Sequence, residues 1–61
     1  MGLQMTFSIR VSETTGVAVT NIKGDTEGDI TLFTYDNETE TAGTYIMSYV
    51  EFIRLNPGME Q

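Results

Sequence analysis

Leu3, Met5, Phe7, Ile9 and Val11 alternate with Gln4, Thr6, Ser8, Arg10 and Ser12. A period of two sends successive side chains to opposite faces, so this stretch predicts a β-strand with one dry face and one wet face. Such a strand needs a layer over its dry side, and the remaining residues must supply that layer. Glu13, Thr14, Thr15 and Gly16 then interrupt the alternation with turn-forming residues.

Two further β-rich runs follow. Residues 17–22 are rich in β-branched side chains, but Val17 and Val19 fall on one face while Ile22 falls on the other. One extra residue in the strand, a β-bulge near Asn21, would bring the three into phase. Residues 29–35 are apolar on both sides: Ile30 and Leu32 point one way, Phe33 and Tyr35 the other. A strand of this kind is covered on both faces or exposes an aromatic patch. Ile22, Phe33 and Tyr35 are assigned to the outer sheet face and form the candidate surface for self-association.

The segment from Ala42 to Leu55 supports two readings. Its Tyr, Ile, Val and Phe content favours a strand. At 100° per residue, however, Ala42, Tyr45, Ile46, Tyr49, Val50, Phe52 and Ile53 gather on one side, and Thr44, Met47, Ser48, Glu51 and Arg54 on the other. Spacing outranks propensity, which packing readily overrides. The sequence therefore predicts a helix, capped by Thr39 or Thr41 and stopped at Asn56, Pro57 and Gly58. The expected fold is α+β: one domain over residues 1–61, a three-stranded antiparallel meander and a C-terminal amphipathic helix on the sheet. The alternative is an all-β small barrel in which residues 43–55 form a fourth strand.

Composition narrows the function classes. With 61 residues, no Cys and no His, the chain has neither disulfides nor the usual zinc and iron ligands to reinforce a small core, leaving oligomerisation as the natural reinforcement. His-based and Cys-based catalysis are excluded, and Lys23 is the one lysine. The expectation is a protein that is not an enzyme and holds no cofactor and no metal. No apolar run reaches the length of a membrane span and no basic, then apolar, leader is present, so the expectation is a cytoplasmic protein that does not contact membranes.

Charge is unevenly distributed. Residues 1–24 carry Arg10, Lys23 and Glu13, a net +1, whereas residues 25–61 carry eight acids and Arg54, a net −7. A field of that sign repels phosphate backbones, so direct nucleic-acid binding is not expected and a basic protein is the expected partner. The acids form two triplets of equal spacing: Asp25, Glu27 and Asp29, then Asp36, Glu38 and Glu40. The first occupies positions 1, 3 and 5 of a calcium-loop pattern, but Ile30 stands where that loop needs glycine, so a hairpin turn is the better reading. Were both segments extended, their carboxylates would sit about 6.6 Å apart, close to the spacing of successive phosphates. The sequence therefore suggests an acidic protein-interaction module that self-associates and takes a basic partner through an acidic rim around the third strand. Alternatives are a small inhibitor or nucleic-acid mimic of the kind mobile elements encode, and a structural subunit of a larger assembly.

Overall fold

The computed structural model describes residues 3–59. Four antiparallel strands, β1 (Phe7–Arg10), β2 (Gly16–Gly24), β3 (Asp29–Asp36) and β4 (Thr41–Ser48), lie in the order β1-β2-β3-β4, and a helix, α1 (Tyr49–Leu55), follows. This is a small α+β domain with an open sheet. Its smallest dimension, 17 Å, accommodates one sheet and one helix layer and no third.

The core lies between the helix and one sheet face. Ile9, Val19, Ile30, Leu32 and Phe52 are buried there, and Val17, Ile22, Met47, Tyr49 and Ile53 pack around them. The strand pairing explains the membership. Ile9 faces Val17, Ile22 faces Leu32, and Ile30 faces both Gly24 and Met47, so directly opposed residues share the helix-side face. The phase change in β2 is absorbed where expected. Val19 pairs with Thr34 and Asn21 with Phe33, leaving Thr20 as the extra residue, whose hydroxyl donates to the Phe33 carbonyl at 3.2 Å. Because of this bulge, Ile22 joins the core face. Its expected grouping with Phe33 and Tyr35 is therefore corrected: one of the three lies on the opposite side of the sheet.

Two element boundaries also differ from expectation. The first strand is shorter than its alternation, since Leu3 and Met5 lie outside it and stay 81% and 89% exposed. Gln4 is held instead by Asn37: its N–H donates to Asn37 Oδ1 at 2.9 Å, and Asn37 Nδ2 donates to its carbonyl at 3.2 Å. The sheet has four strands, not three, because the segment expected to be helical divides at Ser48. Residues up to Ser48 pair with β3 in an unbroken register from Asp36↔Thr41 to Asp29↔Ser48; those after it are helical. Neither a helix over the whole segment nor a strand over residues 43–55 describes it.

The cause of the division is local. Ser48 adopts an extended backbone, and its hydroxyl accepts the Glu51 N–H at 3.1 Å, satisfying one of the orphan donors of the first turn. The Tyr49 N–H donates to the Gly28 carbonyl at 2.9 Å, which ties the helix start to the β2–β3 loop. At the other end the Asn56 side chain donates to the Phe52 carbonyl at 2.9 Å and clasps Arg10, accepting from its N–H at 2.8 Å and donating to its carbonyl at 3.0 Å. The helix thus runs from β4 back across the sheet to β1.

Candidate interaction surface

The helix covers the middle of one face of the sheet and leaves Phe7 and Tyr45 on that face 44% and 42% exposed. The other carries Lys23 and Thr31, then the half-buried Phe33 and Tyr35 on the central strand, and the exposed Ala42, Thr44 and Ile46 on β4. Thr31 opposes Ile46, Phe33 opposes Thr44 and Tyr35 opposes Ala42, so these side chains form one surface. Ile46 is 65% exposed. Phe33 and Tyr35, expected to be neighbours on an outer face, do share it; Ile46 is the large apolar member that helical periodicity hid, because a helical reading places it toward the core. At the Asp36 end, Val17, Thr34 and Gly43 of the helix-side face and Tyr35 and Ala42 of the open face border a groove of about 570 Å³.

The acids do not form a single rim. Asp29 and Asp36 bound β3, seven residue steps apart, which at a rise of about 3.3 Å places the two clusters about 23 Å from one another. Nor are the carboxylates spaced as along an extended chain. Asp25 Oδ1 accepts the Glu27 N–H at 2.9 Å, and Asp36 Oδ1 accepts the Glu38 N–H at 2.9 Å, so each triplet folds into a turn closed by its leading aspartate. Asp25 and Asp36 are structural first. Glu27, Asp29, Glu38 and Glu40 are exposed and make no such bond. Among the described residues, no group of three or more acidic side chains is placed to hold a metal ion. None of their helices is long and apolar enough to cross a membrane.

Two of the three cations are committed to local contacts. Arg54 grips Glu51 through two hydrogen bonds, 2.7 and 3.0 Å long, and reaches Glu13 at 3.8 Å. The hydrogen bonds from Arg54 hold the Glu51 carboxyl below its ordinary value of 4.5 and raise the guanidinium in turn. The Arg10 guanidinium donates to the Glu13 carbonyl at 3.2 Å. Neither arginine therefore contacts a carboxylate of the two acidic turns.

These features define the class: a small acidic α+β domain with one open sheet face, an open sheet edge and acidic turns at both ends of its central strand. No protein-family model, curated protein or solved structure matches the chain.

Proposed function

We propose that the protein is a non-enzymatic interaction module that self-associates through its open sheet face and offers its acidic turns to a basic protein. The observation that carries this reading is the distribution of cover: one helix protects the core of one face, with Phe7 and Tyr45 exposed at its margin, while Phe33, Tyr35 and Ile46 share the other face with no described helix or strand layered upon it. Stacking two such faces buries aromatic and aliphatic surface of the kind that anchors protein interfaces. It also supplies the reinforcement that a short chain without disulfides lacks.

Several features support the non-enzymatic half. The chain has no His and no Cys, and the exposed carboxylates of the turns are not held as a pair in a cleft, which acid–base catalysis by carboxylates requires. The repeated-subunit reading draws on the same open surfaces and differs in the acids, which would then serve only solubility. The mimic reading is weaker, since the turns replace the phosphate-like spacing on which it rests.

Analytical ultracentrifugation tests the proposal. The wild type sediments as a dimer or higher closed oligomer at micromolar concentration, and Phe33→Glu, which buries a charge in the contact, weakens association by about tenfold or more. A wild-type monomer at that concentration overturns self-association. Capture of a lysine-rich protein at low salt, lost at high salt, supports the acidic half; salt-independent capture argues against it.

A further inference from the structure

The open face is not the only unfinished surface. In the order β1-β2-β3-β4 the sheet has two edges, and they are unlike. β1 is four residues long, and its Arg10 N–H and carbonyl are both taken by the Asn56 side chain. β4 is eight residues long, pairs with β3 alone in a register free of bulges, and carries no proline and no Asp, Glu, Lys or Arg. Natural sheets blunt such edges with charge, proline, bulges or a cover. β4 uses none of them, and the helix that leaves it turns away toward β1.

We infer that the free edge of β4 pairs antiparallel with β4 of a second copy, across a two-fold axis at Thr44, to form a continuous eight-stranded sheet. Three observations select a second copy as the occupant. The strand carries no charged residue over its eight positions, so two copies of it pair without setting like charges directly opposite one another. Because β1 is only four residues long and Asn56 takes both backbone groups of Arg10, β4 is the long open edge of each molecule, and a pairing of two β4 strands closes at two copies. Face parity then fixes where the axis falls. Directly opposed residues share a face, so in an antiparallel self-pairing the axis passes through a residue and not between residues. At Thr44, Tyr45 lies beside Gly43 of the second copy, where no side chain competes for space, and Ile46 lies beside Ala42.

This contact is distinct from the face stacking proposed above, and the two are separable. In the Phe33→Glu background the stacked face is charged but the β4 edge is untouched, so the stacked contact weakens while the edge contact remains, and the expected result is a fall from a larger wild-type oligomer to a dimer. The chain has no cysteine, so single-cysteine variants report cleanly. In that background, Thr44→Cys under mild oxidation yields a disulfide-linked dimer about tenfold faster than Ser8→Cys on the capped edge. Reduced samples are compared by circular dichroism, and Phe33→Thr replaces Phe33→Glu if the latter unfolds. A Phe33→Glu monomer from a wild-type dimer leaves the stacked face standing and overturns the edge contact. Equal rates for Thr44→Cys and Ser8→Cys overturn it as well, and a monomeric wild type overturns both contacts.

Discussion

Gly24 shows how little freedom the loops allow. It closes β2 with φ +136°, and a Cβ there would lie 2.6 Å from the Asp29 carbonyl oxygen and 2.7 Å from Ile30 Cα, both backbone atoms that cannot swing aside. Gly24→Ala is expected to cost about 3 kcal/mol or more, a large share of the roughly 3–9 kcal/mol expected for a domain of this size. Gly28, four residues on, has no positive φ, and its closest neighbour is the Asp25 side chain at 3.3 Å. Gly28→Ala therefore costs about 1 kcal/mol or less. Thermal melts of the two variants compare these values, and equal losses would refute the role assigned to Gly24. Glu40 presents the opposite case, a non-glycine residue at φ 55°. Glu40→Gly removes about 1 kcal/mol of backbone strain, partly offset by the greater freedom of glycine in the unfolded chain. The net expectation is a small rise in the denaturant midpoint at unchanged slope, and a fall would show that the side chain itself contributes.

Among the elements, the part of the first alternation that forms β1, the bulge near Asn21 and the two-sided third strand are legible before the structure, because each is a short-range pattern with one geometric meaning. The switch at Ser48 was missed for a physical reason. Residues 42–55 satisfy both periods at once: Ile46 and Tyr45 face opposite sides of a strand, yet fall on the same side of a helix. Amphipathicity over the whole window therefore measured a helix only half of it forms. The deciding signal is smaller and lies inside the segment: a serine followed three residues later by glutamate, Ser48 and Glu51, which is a helix-start pattern. Asn37 and Asn56 were illegible for another reason, since their partners Gln4 and Arg10 are 33 and 46 residues distant. Ser48→Ala removes the cap and is expected to cost about 1 kcal/mol, a fall of about 4–8 °C in melting temperature for a chain this short. Scanning calorimetry measures it. No change would mean that the Gly28 carbonyl, accepting from Tyr49, is sufficient to start the helix.

At the scale of the whole molecule, the two associations proposed respond oppositely to salt. The chain carries a net charge of −6, and two copies brought together repel; with a screening length of about 10 Å at 0.1 M salt, that repulsion fades as ionic strength rises. Self-association through Phe33, Tyr35, Ile46 and the β4 edge is apolar or backbone-mediated, so its dissociation constant is expected to fall several-fold between about 20 and 200 mM salt. Binding of a lysine-rich peptide depends on the carboxylates and weakens by about tenfold over the same range. The acidic turns lie about 23 Å apart along β3, beyond the screening length, and so should act independently. Neutralising Glu27 and Asp29 to their amides, or Glu38 and Glu40 to theirs, leaves the turn-closing Asp25 and Asp36 in place, and each pair is expected to contribute its own additive share of peptide affinity. Sedimentation of the free protein and titration of the peptide, carried out across the same salt series, measure both. If the two dissociation constants moved in the same direction, the assignment of apolar surface to the second copy and acidic surface to the basic partner would be wrong.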